Sequence, residues 1–258
     1  MREEHETFPN AVQATLLVVV LFALQLALAN ILLRFDLFAG ANALDLAGLI
    51  SVVGNGIVFS LLLSYKKLRY RSLFHPARHS VISTFGVLTI PIMLLVPGLV
   101  IVAGTINSIV VKLAPMSSNE QALFAEMLAS NGLTVLFGCI IAPFLEEMLF
   151  RGIILRSFLR QYSRTASILG SATLFAFAHL NVYQLVTAFA VGIVAGWLYE
   201  RTRSLWPCIL LHAGYNAFVI YSYQLFAALN EHALTFCAIA FGLAILAGFM
   251  LLKILVPS

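Results

Sequence analysis

The sequence predicts an all-α, polytopic integral membrane protein with about eight transmembrane helices and both termini in the cytoplasm. Composition is the first reason: 61% of the 258 residues are hydrophobic and 10% are charged, where soluble domains carry about a quarter charged residues. Mean hydropathy is +0.98. The second reason is length, because apolar runs near the roughly 20 residues needed to cross a bilayer recur at about 12–33, 46–64, 81–103, 132–155, 165–182, 184–200, 205–226 and 234–254. The third is charge. With the amino terminus inside, thirteen of the fifteen Lys and Arg residues fall on the cytoplasmic side, or twelve without Arg151, which lies within the fourth apolar run, and Arg34 and Lys112 alone fall outside. That asymmetry is the positive-inside pattern. With an anionic inner leaflet as partner it accounts for the basic pI of about 9.1, so no nucleic acid is implied.

Each element has a local reason. The first run is too long for a signal-peptide core and follows an acidic leader, Met-Arg-Glu-Glu-His-Glu, so an uncleaved anchor is expected. Lys66-Lys67-Leu-Arg69-Tyr-Arg71 is a basic loop suited to lipid headgroups. Between the third and fourth runs, Ser117-Ser118-Asn119-Glu120 marks a helix start, predicting a short helix on the outer surface within 104–131. The fourth and fifth runs are joined by a hairpin turning near Tyr162 and Ser163. Gly192-x-x-x-Gly196 in the sixth run is a close helix-packing face. Ser204 followed by Pro207 caps and starts the seventh. Cys139, Cys208 and Cys237 lie within apolar runs without metal spacing and are expected to be buried, inert thiols. No linker or repeat divides the chain, so residues 1–258 form a single membrane domain. Residues 1–130 act as scaffold and 130–220 hold the chemistry.

That chemistry sits in three polar clusters inside apolar helices, where ionisable residues are costly and by default functional. The first is Glu146-Glu147-Met-Leu-Phe-Arg151, preceded by Pro143. Glu147 and Arg151 are i,i+4 in acid-first order and can pair along the helix, whereas Glu146, turned by about 100°, is left free. The second is Phe175-x-x-x-His179 and the third His212-x-x-x-Asn216, each again i,i+4. Pro143 frees a backbone carbonyl and kinks the helix, which is tolerated where backbone lines a cavity.

Measured from the hairpin turn at about 1.5 Å per residue, Glu146 and His179 stand level at roughly 24 Å, with His212 and Asn216 shallower by roughly 5–10 Å. A desolvated glutamate facing an imidazole can deprotonate a water and return the proton to a leaving amine. A second histidine and an amide can donate hydrogen bonds to an oxyanion. Alternatively Glu146, His179 and His212 make a two-histidine, one-glutamate zinc set, although the HExxH spacing of soluble zinc proteases is absent. A histidine in such a helix can equally be structural, hydrogen-bonded to a neighbouring helix.

On these residues the sequence resembles the CPBP family of intramembrane proteases, also called Abi proteins, which includes the type II CAAX prenyl endopeptidases. The E-E-x-x-x-R motif is Glu146-Glu147-Met-Leu-Phe-Arg151, followed by Gly152. F-x-x-x-H is Phe175-Ala-Phe-Ala-His179, and H-x-x-x-N is His212-Ala-Gly-Tyr-Asn216. All three occur in the family's order across about 130–220. The resemblance implies that Glu146 and His179 activate water, that His212 and Asn216 stabilise the oxyanion, and that Glu147, Arg151 and Phe175 support the site. It implies a glutamate-dependent hydrolase without a cofactor, zinc being the alternative. The expected partners are membrane lipids and a membrane-associated peptide or protein, and the expected location is a bacterial or archaeal cell membrane. A site opening to the cytoplasmic side is expected. A proton- or ion-coupled transporter and a non-catalytic immunity or scaffold protein are the competing functions.

Overall fold

The computed structural model describes residues 7–35, 42–67, 70–76, 80–129, 132–227 and 231–255, and every regular element among them is helical. Arg2, Arg69 and Arg78 of the basic segments lie outside the described residues. Asn10 starts α1 (Ala11–Arg34) with a capping box, its side chain accepting from the Gln13 N–H while Gln13 reaches back to the Asn10 N–H. Asn42 caps α2 (Ala43–Lys66). A short turn of helix, α3 (Tyr70–Phe74), leads to α4 (Val81–Leu113). That helix runs ten residues past the expected end at 103, because Thr105 and Ser108 return their hydroxyls to carbonyls within the helix and nothing interrupts it before Ala114.

The helix expected near 118 is α5 (Ser118–Leu128). Ser117 and Glu120 form its capping box, and no residue of it is buried. Residues 132–161 form one helical rod, α6, and residues 164–255 supply α7 (Arg164–Phe177), α8 (Val182–Thr202), α9 (Trp206–Ala227) and α10 (Glu231–Leu255).

The rod α6 is not uniformly wound. Leu136–Ile141 and Met148–Leu155 are π-helical, with α-helical Ala142–Glu147 between them. The Ala142 N–H reaches back five residues to the Phe137 carbonyl. The next donor in that register is Pro143, which has no N–H, so the Gly138 carbonyl is left for another partner. At Pro143 the winding has just passed from π-helical to α-helical.

Helix α7 also departs from expectation. It ends at Phe177 rather than near 182, and at 14 residues it is about 21 Å long. Leu180, at φ 50°, turns the chain sharply before Asn181 caps α8.

Helix α4 packs against α8, α9 and α10, α7 lies on α8, and α1 lies on α2. Where α7 crosses α8, a Cβ on Gly192 would stand 3.0 Å from the Ala172 Cβ and 3.1 Å from its Cα. The two helices therefore meet at the small-residue face read from the sequence. The core runs through Leu149, Ile154 and Leu155 of α6, Leu198 and Tyr199 of α8, and Leu211 of α9. Outward, α1 presents Val12, Leu16, Val20 and Leu26, and α10 presents Ile239, Leu243, Leu246 and Phe249. Such apolar exteriors suit lipid, and among the described residues five helices are long and apolar enough to cross a bilayer by themselves. The protein is an integral membrane protein.

The two ends of the bundle differ in charge. At one end Lys66 donates to the Phe8 carbonyl, Gln161 to Pro9, Leu205 to Phe74, and Arg164 pairs with Glu200 at 3.0 Å. Arg156, Arg160, Arg201 and Arg203 belong to the same set of turns. At the opposite end Asn42 donates to Glu126, and Phe124 packs edge-on against Tyr183. Cys139 and Cys208 are buried as expected, whereas Cys237 is partly exposed because α10 packs on one side only.

Candidate active site

Glu147 and Arg151 are fully buried and joined by an Arg151 Nη1 to Glu147 Oε1 hydrogen bond of 2.9 Å. Taking both charges out of solvent requires further partners, and the fold supplies them. Arg151 Nη2 donates to the Gly192 carbonyl at 3.1 Å, which the missing side chain at Gly192 leaves approachable. The guanidinium also lies over the Phe175 ring, 4.5 Å from its centroid. On the other side His212 Nδ1 lies 2.9 Å from Glu147 Oε1. A carboxylate accepts, so Nδ1 carries the proton and Nε2 is turned toward Glu146, 3.8 Å from its Oε2. That spacing is too long for a hydrogen bond.

Phe175 links these groups. Its ring stands edge-on to His179 at 5.0 Å and to His212 at 5.4 Å between centroids. His179 lies just beyond the end of α7, in the turn rather than on the helix, and its Nδ1 donates to the Phe175 carbonyl at 3.0 Å. This leaves His179 Nε2 as the nitrogen open to a ligand. Asn216 Nδ2 donates at 2.8 Å to the Gly138 carbonyl that Pro143 leaves free. An amide nitrogen has two hydrogens, so one remains available.

Glu146 differs from its neighbour. Its side chain is 31% exposed where that of Glu147 is fully buried. The Oε2 atoms of both are buried without a hydrogen-bond partner among the described residues, but only Glu147 has its other oxygen held, by Arg151 and His212. Two cavities meet here. A smaller one of about 160 Å³ is lined by Glu146 and His179 together with Gln25, Ser51 and Asn55. A larger one of about 410 Å³ is lined by His179, His212 and Asn216 and by mostly apolar residues of α5, α8 and α9. His179 is the wall they share. Sequence reasoning treated residues 1–130 as scaffold and missed Gln25, Ser51 and Asn55. The signal for Gln25 and Asn55 was an amide in the middle of each of the largely apolar helices α1 and α2.

The depth mismatch between His212 and the glutamates is absent. Part of the reason is the π-helical stretch 148–155, whose wider turns shorten the rise from the hairpin to Glu146. The larger cavity is walled by Asn107, Met116, Phe124, Met127 and Leu128, at the end of the bundle away from the basic turns, where α5 covers it.

Among the described residues, no three His, Cys, Asp or Glu side chains are arranged to hold one metal ion. Both Nδ1 atoms are taken, His179 by the Phe175 carbonyl and His212 by Glu147, which leaves the two Nε2 atoms open.

Residues 129–218 match the sequence model of the family described as Type II CAAX prenyl endopeptidase Rce1-like. Over 119 residues the chain is 29% identical to the Bacillus subtilis (strain 168) protein named "Putative membrane peptidase YdiL", covering 46% of this chain and 48% of that protein. The chain thus spans about half the length of the curated relative it matches. No solved structure matches. Both similarities support the resemblance to CPBP and CAAX-type membrane proteases that the three motifs carry.

Proposed function

We propose that this protein is an intramembrane endopeptidase that hydrolyses a peptide bond in a membrane-associated polypeptide with Glu146 as general base and without a metal. The observation that carries this reading is the small cavity between Glu146 and His179, with Glu146 Oε2 unpaired beside it. A buried water there would be held by the Glu146 carboxylate and the His179 Nε2 lone pair, a site polar enough to keep it.

Glu146 takes the water proton as the hydroxide oxygen bonds to the carbonyl carbon, and the carbonyl electron pair moves to oxygen. The spare N–H of Asn216, in the adjoining cavity, faces that oxyanion, and His212 adds a second donor from Nε2 when its ring is doubly protonated, Nδ1–H staying on Glu147. When the tetrahedral centre collapses, the C–N bond breaks and Glu146 returns the proton to the leaving nitrogen. Glu147 and Arg151 hold His212 and Phe175 in position. Helices α1, α2, α4, α6, α7, α8, α9 and α10 make eight crossings, with the basic turns and both termini in the cytoplasm.

The test is cleavage of quenched fluorescent apolar peptides by purified protein in detergent. Glu146→Gln keeps the shape and removes the base, and should lose on the order of 10²–10⁴-fold in rate while melting as the wild type does. A folded Glu146→Gln protein with full activity refutes the assignment.

A further inference from the structure

Resting on the peptidase reading, we infer that the substrate enters from the extracytoplasmic side, beneath α5. Its class is then an apolar stretch of an exported or membrane-anchored polypeptide, presented at the outer leaflet.

Two independent observations converge on this. The first is electrostatic. The turns tied together at one end of the bundle carry Lys66, Lys67, Arg156, Arg160, Arg164, Arg201 and Arg203, whereas Arg34 and Lys112 lie toward the other, so the basic end faces the cytoplasm. The second is the cavity. It touches Phe175 near the end of α7 and His179 in the turn just beyond it, and α8 at Tyr183, Gln184 and Thr187, within its first two turns. Both places are remote from the basic turns. A polypeptide approaching from the cytoplasm would have to pass the packed core around Leu155, Leu198 and Leu211, each fully buried.

Helix α5 is built to cover such an entrance without sealing it. It buries no residue completely. Phe124, Met127 and Leu128 face the cavity, and it is tied down by the Phe124–Tyr183 ring contact at 6.1 Å and the Asn42–Glu126 hydrogen bond at 2.6 Å. The mostly apolar lining selects for apolar side chains. Gln184 and Thr187 stand on the wall next to His179 and could pair with the backbone of an extended segment.

The test is thiol labelling of the full chain in a bacterial inner membrane, in a Cys237→Ser background that keeps the buried Cys139 and Cys208. The probe is a membrane-impermeant sulfonated maleimide. Leu123→Cys on the exposed face of α5 and Thr187→Cys in the cavity wall should react in spheroplasts. Thr165→Cys, exposed at the basic end, should react only in inverted vesicles. Reaction of Thr187→Cys from the Thr165 side, or from neither side while Leu123→Cys reacts, overturns the inference.

In sealed proteoliposomes, cleavage of an externally added apolar peptide should follow the fraction of molecules with α5 outward. Cleavage that follows the opposite fraction overturns it too. Labelling needs no catalysis, so a protein that labels as expected and cleaves nothing fails the peptidase reading while leaving the access route standing.

Discussion

Replacing Arg151 by methionine keeps much of the side chain's bulk and removes its charge. The guanidinium is fully buried, pairs with Glu147 at 2.9 Å, donates to the Gly192 carbonyl at 3.1 Å and lies 4.5 Å from the Phe175 centroid. Removing one partner of a buried pair costs about 3–5 kcal/mol, because the remaining charge is stranded. The lost ring contact is worth about 2 kcal/mol when desolvated, but it belongs to the same group, so the two figures overlap and about 3–5 kcal/mol is expected in all. On the scaling of about 2–4 °C per kcal/mol for chains of this size, the melting midpoint in detergent should fall by about 6–20 °C. Glu147→Gln keeps an oxygen that can accept from His212, so Glu147→Gln/Arg151→Met should melt well above Arg151→Met alone. A coupling of about 0.5–3 kcal/mol between the two sites is the signature. Intrinsic fluorescence melting of the four proteins reads it directly. If Arg151→Met melted within about 2 °C of the wild type, the guanidinium would not be neutralising a buried carboxylate, and the account of the site would be wrong.

Other outcomes follow from particular contacts. Gly192→Ala places a methyl 3.0 Å from the Ala172 Cβ, and overpacking of this kind should cost about 1–3 kcal/mol, seen as a lower melting midpoint and reduced activity as the Arg151 partner carbonyl shifts. Strong chelators should leave peptide cleavage intact, and elemental analysis should find well under one zinc per chain; activity lost with stoichiometric zinc and restored by it would instead establish a metalloprotease. The Ser117 hydroxyl and then its backbone N–H hold the Glu120 carboxyl below its usual range. A depressed carboxylate stabilises the folded cap above the unfolded value, and that stabilisation disappears as pH falls through the lower folded one. Amide exchange in α5 should therefore quicken below about pH 4 in the wild type and show no such step in Glu120→Gln.

Much of the site was legible because its parts are local. Glu147 and Arg151 are one helical turn apart, so their pairing needs no knowledge of the fold. The start of α5 was also visible, since a Ser and a Glu three residues apart satisfy each other within one turn. What could not be read depends on packing between distant segments. Gln25, Ser51 and Asn55 come together with Glu146 only because α1 and α2 pack beside α6, and no spacing within 1–130 records that. The height of His212 relative to Glu146 was misjudged in part because a uniform α-helical rise was applied across residues 148–155, which are π-wound. The end of α7 at Phe177 was likewise hidden: residues 178–182 are compatible with helix, and it is the turn at Leu180, fixed by where α8 must begin, that takes His179 off it.

Asn216 is oriented by an atom that proline does not have. In the five-residue register that the Ala142 N–H establishes, the amide hydrogen of residue 143 would occupy the Gly138 carbonyl, and its absence admits the side chain of a helix 78 residues away. The two positions act together. A transplant of the histidine and asparagine onto another scaffold without this proline would leave the amide to choose its own rotamer, and an alanine at 143 would compete with Asn216 for a single acceptor. Anyone redesigning this helix for stability would see Pro143 as a defect to repair, and the repair would unfasten a group that lines the larger cavity.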